Sequence, residues 1–401
     1  VRARIPLQWV AIAVFVLSST LNYLDRQILA AVAPTLKAEF FLTDRDYGLL
    51  LLAFSVAYAI AAPVGGLFID RVGLNLGISI AVAAWSTAGL CTGLVQSFGG
   101  LAIARAALGA AEAAAIPGTG KANGTYLRPH ELALGGALNQ VGLSIGGVAA
   151  PLLVAWLGGP DHWRRVFVIA ALLGFLWIPA WLLTARLVPK LKEPHTEQRA
   201  RSGDLLFDRR FWALVIANIL YMTLYTLWTN WTTLYFVEAH GLSERQANRQ
   251  FAWIPPIFAT LGGFAGAALA FRWIRSGMQV FTARMRVCAW SAVLLLATAA
   301  APLMPNAAWS AAAISFSYFW VTAMSTNVYV MPIDFFGAAH AAFGVAALTM
   351  AYGLMQAFVS PLIGVMIHRF GFAGVCAAFS VLPLAAVGVL RAAGPKPARW
   401  R

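Results

Sequence analysis

The sequence predicts an all-α polytopic membrane protein of about twelve transmembrane helices in two six-helix halves. Three observations predict it. The 401 residues are 60% apolar and only 11% charged, with a mean hydropathy of +0.74, whereas soluble domains run at about 45–50% apolar and about 25% charged. Apolar stretches recur to the C-terminus, each long enough to cross about 30 Å of hydrocarbon. The basic residues are also distributed unevenly between alternate loops.

The spans fall near 8–35, 46–70, 75–96, 98–121, 131–157 and 163–186, then 209–237, 246–271, 279–302, 307–333, 340–367 and 371–391. The first is read as a span and not a cleaved leader, because the chain after it stays apolar. The longest polar interruption follows the sixth span and carries Lys190, Lys192, Glu193, Pro194, His195, Glu197, Arg199 and Arg201. The expected division is therefore 1–186, a cytoplasmic linker 187–208, and 209–401.

Orientation follows from the basic residues. Of the 29 Lys and Arg, Arg26 and Arg105 lie within spans, and with the N-terminus inside the remainder divide 20 cytoplasmic to 7 external. Such a bias sets topology, placing both termini in the cytoplasm, with the cell inner (plasma) membrane as the expected location. The net charge of +14 is then a topology signal, with attraction to anionic lipid secondary, and nucleic acid is excluded as a partner. Cys91, Cys288 and Cys376 lie in apolar stretches without metal-ligand spacing and read as buried small hydrophobes.

Glycines cluster at Gly135, Gly136, Gly142, Gly146 and Gly147 and again at Gly262, Gly263 and Gly266, where small residues let helix backbones approach in lipid. Pro63, Pro117, Pro151, Pro255, Pro256 and Pro361 lie inside spans and are expected to kink them.

Four ionisable residues stand well within spans: Asp25, Arg26, Arg105 and Glu112. Each costs roughly 2.5–3.5 kcal/mol at the bilayer centre unless paired or hydrated, so each is a functional candidate facing the bundle interior. Seven helical residues separate Arg105 from Glu112, which puts both on one face about 10 Å apart along the axis. They are too far apart to pair with each other. Asp25 with Arg105 and Arg26 with Glu112 are both open as pairings between the helices. Arginine offers a permanently charged fork that matches a carboxylate, and a desolvated acid can carry a proton. Together these are the minimum for proton-coupled anion uptake; a purely structural ion-pair network is the competing reading. Spans seven to twelve offer neutral groups instead, among them Tyr221, Tyr225, Trp228, Asn230, Asn327, Tyr329 and Gln356. Asp334 and His368 fall near span ends.

An enzyme is disfavoured. The spans carry no His/Asp metal cluster and no nucleophile–base pair. Gly118-Thr119-Gly120-Lys121 resembles a phosphate loop, but Ala115 stands where its first Gly belongs and Ala122 follows the Lys. No cofactor is expected.

Gly66-Leu67-Phe68-Ile69-Asp70-Arg71-Val72-Gly73 resembles the loop 2–3 signature of the major facilitator superfamily. Asn22-Tyr23-Leu24-Asp25-Arg26 and the run from Arg105 through Leu108-Gly109 to Glu112 and Pro117 are similar to motifs of its anion:cation symporters. That family includes bacterial hexuronate and galactonate transporters, sialin and vesicular glutamate transporters. Trp163-Arg164, Phe167, Leu176-Trp177 and Phe251-Ala252-Trp253-Ile254-Pro255 also fit. The resemblance implies two six-helix halves with alternating access, and a sugar acid or other small organic anion moved with protons. It implies Arg26 as the substrate-carboxylate arginine, Asp25 and Glu112 as proton-coupling acids, and Arg105 as the arginine coupled to them. Tyr58 matches a tyrosine at the site, and Gln140 lies near a polar position that reads sugar hydroxyls. Tyr225, Asn327 and Gln356 complete the expected substrate-binding set, and Gly66, Asp70 and Arg71 the gating motif. A monomer is expected. The chain departs from the pattern at Phe271, Leu354 and His368, which leaves a smaller or less hydroxylated carboxylate open. Also open are exchange or facilitation without net proton coupling, and a non-transporting nutrient sensor.

Overall fold

A computed structural model describes residues 7–128, 131–159, 162–191 and 202–394. The linker residues Lys192, Glu193, Pro194, His195, Glu197, Arg199 and Arg201 lie outside them. The described chain is helical because backbone N–H and C=O groups in lipid must be satisfied within their own segment.

The first helices are α1 (Leu7–Ala31), α2 (Ala33–Glu39), α3 (Asp44–Val72), α4 (Leu74–Thr92), α5 (Phe98–Glu112), α6 (Ala115–Tyr126), α7 (Leu132–Leu157) and α8 (Trp163–Leu187). They continue as α9 (Arg209–His240), α10 (Glu244–Ala247), α11 (Ile254–Arg275), α12 (Val280–Leu295), α13 (Ala307–Phe336), α14 (Ala338–Ser380) and α15 (Leu382–Ala393). Ten stretches among the described residues are long and apolar enough to cross a membrane. One of them, Phe343–Ala393, is broken at Gly371, where φ is +64°, and so holds two rods. With the 30-residue α13 they make the twelve spans expected, in an all-α polytopic fold.

The expected spans run together or break where chemistry dictates. The fourth covers α5 and α6, which separate at Ala113 and Ala114. Pro117 has no N–H for the carbonyl of Ala113, four residues earlier, so the ladder opens there. Glu112 is the last residue before that break. The eighth span enters through α10 and a π-helical turn, Asn248–Ala252, ahead of Pro255 and Pro256. Polar caps set the N-termini that face water: Thr43 and Asp46 form a capping box on α3, Ser243 and Gln246 another on α10.

Two compact units divide the described chain. One comprises Val1–His195, Thr229–Trp253 and Ser360–Val365; the other comprises Thr196–Trp228, Ile254–Val359 and Met366–Arg401. In the first unit, Phe15 of α1 meets the stacked pair Trp177 and Trp181 of α8, and the Trp177 indole donates to Val14 O at 2.7 Å. Glycines set the close crossings. An added Cβ at Gly146 of α7 would stand 2.4 Å from Thr20 O of α1, and in the second unit one at Gly262 of α11 would stand 2.0 Å from Phe319 O of α13. Of the clustered glycines in the sequence, those spaced by four (Gly142 with Gly146, Gly262 with Gly266) make these contacts.

The first unit also joins chain segments far apart in sequence. Pro34 interrupts the ladder between α1 and α2, leaving Ala31 C=O and Thr35 N–H without each other. Asn248 Nδ2 donates to Ala31 O at 2.8 Å, and Glu244 Oε2 accepts from Thr35 N at 2.9 Å. Asn248 is fully buried, and its Oδ1 accepts from Thr233 at 2.9 Å. Tyr47 OH donates to Asn230 O at 2.9 Å, and Lys37 bridges Asp44 and Glu238. An Asn248→Ala variant orphans a buried carbonyl and a buried hydroxyl. The detergent-purified protein is expected to lose about 2–6 kcal/mol of stability, at about 1–3 per orphaned group, read as a lowered thermal midpoint. An unchanged midpoint would show that water repairs the break.

Candidate functional site

The four charges of the spans converge in the first unit. Asp25 and Arg26 lie in the last two turns of α1, Arg105 in the middle of α5, and Glu112 at its end. Phe98–Tyr126 is one 29-residue crossing, so Glu112 stands at its centre. Asp25 is 4% exposed, Arg105 2% and Glu112 0%. The Arg26 side chain keeps a quarter of its surface, which makes it the accessible cation of the group.

Of the two pairings the sequence leaves open, Arg26 with Glu112 forms, with Nε to Oε2 at 2.6 Å. The pair is charge-assisted and desolvated, so breaking it by removing one partner is costly. Arg105 Nε and Nη1 are buried without hydrogen-bond partners, while the Asn22 side chain acts on the Glu112 carboxylate. Asp25 and Arg105 act on each other through space, and Glu112 acts on both.

Aromatic rings supply the rest of the surroundings. The Arg26 guanidinium lies 4.9 Å from the Phe54 ring centre and 4.8 Å from that of Tyr58; the Arg105 guanidinium lies 5.2 Å from Phe54. Phe54 and Tyr58, one turn apart on α3, are stacked at 6.0 Å. Tyr58 is half-buried against the cluster. Gln140 is exposed on α7, away from this set of contacts; its neighbour Asn139 accepts from Ser19 at 2.5 Å.

Phe54, Asn22 and Gly109 are the residues that sequence reasoning leaves without a role here. The available signal for Phe54 was its place four residues before Tyr58, which puts the two on one helix face. For Gly109 it was the spacing from Arg105 and Glu112.

The second unit holds the neutral residues. Tyr225 meets Tyr318 at 5.4 Å and Tyr352 at 6.2 Å, both edge-on, and Gln356 lies one turn beyond Tyr352 on α14, half-buried. Asn327 is fully buried, and its amide donates to Gly266 O at 3.1 Å and Ala323 O at 3.0 Å, tying α13 to α11. Trp228 and Tyr221 are likewise committed to Ser317 and Asn218. Tyr225, Tyr329 and Gln356 are thus the members of the expected neutral set that are half-buried rather than buried.

At the α3–α4 turn, Asp70 meets Lys121 of α6 at 3.2 Å, and Lys121 also donates to Ile69 O at 3.1 Å. The Lys of the loop-like Gly-Thr-Gly-Lys stretch is therefore a partner of the signature, and Arg71 is exposed. Close approach occurs at Gly65, where a Cβ would stand 3.0 Å from Ala114 N; at Gly66 it would meet only Pro117 Cβ at 3.9 Å. Packing thus uses the glycine beside the one the signature names.

These features (charged first, fourth and adjoining second spans, and a turn signature bridged to the fourth) coincide with a family model for the Major Facilitator Superfamily that matches residues 15–358. The chain belongs to the Major Facilitator Superfamily. As a member it is a multi-pass membrane transporter and not an enzyme. It is 29% identical to a hexuronate transporter of Escherichia coli over 94% of this chain and 92% of the relative. It is 31% identical to a galacturonate transporter of Dickeya chrysanthemi over 65% of this chain and 80% of the relative. Among solved structures, a bacterial homolog of the human lysosomal transporter Spinster, inward-facing and unoccupied, matches with a TM-score of 0.78 and 21% identity, covering 98% of this chain and 96% of that one. That likeness supports the superfamily fold alone.

Proposed function

We propose that this superfamily member is a proton-coupled symporter of small organic anions of the hexuronate class, working by alternating access as a monomer. The observation that carries it is the Arg26–Glu112 pair at 2.6 Å, with Glu112 fully buried and Arg26 partly exposed. A guanidinium whose carboxylate partner is an acid can be released from it by protonating that acid. The released fork then matches a substrate carboxylate. Binding and protonation become linked, because each favours the state the other requires. Asp25 is the second proton-coupling acid, acting on Arg105 through space. Arg105, Tyr58 and Gln140 are proposed for the substrate in the first half, with Tyr225 and Gln356 in the second, where Asn327 ties α13 to α11; Gly66, Asp70, Arg71 and Lys121 form the gating turn. The functional halves are 1–186 and 209–401 joined by 187–208, with both termini cytoplasmic in the inner membrane. The hexuronate and galacturonate transporters to which the chain is similar support a sugar-acid substrate.

The test is uptake into proteoliposomes. Labelled galacturonate and glucuronate are expected to accumulate when the outside is acidified, at least about tenfold over a gradient-free control, a difference of about 1.4 kcal/mol. The matching neutral sugars should not accumulate. Equal uptake with and without the gradient would replace the reading by exchange or facilitation. Binding without uptake would replace it by a sensor.

A further inference from the structure

We propose that Phe54 is a positioning residue for the anion site, holding the Arg26 and Arg105 guanidinium groups on one ring with their N–H donors left for carboxylates. The proposal rests on the symporter reading and adds a residue to its site. Two guanidinium groups in one desolvated cluster repel each other, and the direct carboxylate contact is made to Arg26 alone. Arg105 Nε and Nη1 have no hydrogen-bond partner. What both cations share is the Phe54 ring, at 4.9 and 5.2 Å from its centre. The negative face of an aromatic ring attracts a cation without consuming any of its N–H groups. An arginine held this way keeps its fork for a carboxylate, Glu112 in the resting protein and the substrate after protonation.

The backbone fixes the ring where this requires it. Gly109 lies four residues after Arg105 and three before Glu112, on the face that carries both. A Cβ at Gly109 would stand 2.3 Å from Phe54 O, so α3 rests at Phe54 directly on the middle of the charged face of α5. Phe54 is 7% exposed and is backed by Tyr58, which makes the second ring contact to Arg26. A packing role needs only a hydrophobe of this volume, whereas a cation-holding role needs the electrons of the ring. The two can therefore be separated.

Phe54 is replaced by mono-, di- and trifluorophenylalanine, which hold the shape of the ring while draining its face of negative charge, and by Phe54→Leu. Apparent KM for galacturonate uptake and the ligand-free thermal midpoint are read for each. KM is expected to rise stepwise, to about tenfold for the trifluoro ring, and the midpoint to fall in the same order. A flat KM across the fluorinated series overturns the proposal, whatever Phe54→Leu does, since the ring then serves packing or stability alone. If the unmodified protein takes up no uronate, the substrate reading fails by itself. The ligand-free midpoints then decide: a graded fall supports the ring's hold on the arginines, and a flat series overturns it.

Discussion

An Arg26→Ala variant is expected to bind galacturonate at least about 30-fold more weakly than the native transporter, because truncating one partner of a buried, hydrogen-bonded charge pair costs about 2–5 kcal/mol. Arg26→Lys should recover only part of that, since an ammonium keeps the charge and loses the planar fork. The alanine variant also strands Glu112, which is fully buried, so stability and binding must be read separately. The Arg26→Ala/Glu112→Gln double variant removes the stranded charge. It should regain thermal stability toward that of Glu112→Gln alone and regain no affinity. Isothermal titration and thermal unfolding of the three variants close the cycle. Affinity within a few-fold of native in Arg26→Ala would remove Arg26 from the substrate site and leave Arg105 as the candidate.

Glu112→Gln is expected to separate binding from driving force. A carboxamide cannot exchange the proton that links the pair to pH, and it offers Arg26 only a neutral acceptor. Galacturonate should bind this variant at neutral pH as well as it binds the native protein under acid conditions. Counterflow exchange should persist. Concentrative uptake under an imposed proton gradient should fall at least about tenfold, a loss of about 1.4 kcal/mol of coupling. Native accumulation by Glu112→Gln would transfer the coupling to Asp25, which shares the buried cluster. Asp25→Asn in the same assay is the control for that outcome.

Much of this was legible in the chain itself, for physical reasons. A hydrocarbon solvent enforces helix over each apolar run, so the spans could be placed to within a few residues: 163–186 is observed as Trp163–Leu187 and 131–157 as Leu132–Leu157. Charges in lipid are costly wherever they occur, so Asp25, Arg26, Arg105 and Glu112 announced themselves without any knowledge of their neighbours. The helical period put Arg105 and Glu112 on one face and forbade them to pair. The break beside Glu112 was foreshadowed by Pro117.

Contacts between helices were not legible in this way, because periodicity describes one helix and says nothing of which helix lies opposite. Both arginine–acid pairings met the spacing rules, and the tertiary placement of the two helices chose Arg26 with Glu112. An aromatic residue in an apolar span is usually packing, so Phe54 was indistinguishable from its neighbours until the backbone of α3 was found resting on Gly109. In the sequence Lys121 ends a failed phosphate loop, and only the turn of α3 brings Asp70 beside it. Glu244 and Asn248 gave no sign that they repair a helix broken more than 200 residues away. By itself the sequence determined the class of solvent, the number of spans and the four charges that must be satisfied, since each follows from the cost of exposing polar groups to lipid. Only the tertiary structure decided which partners satisfy them, since that depends on helix crossings set by glycine contacts between segments remote in the chain.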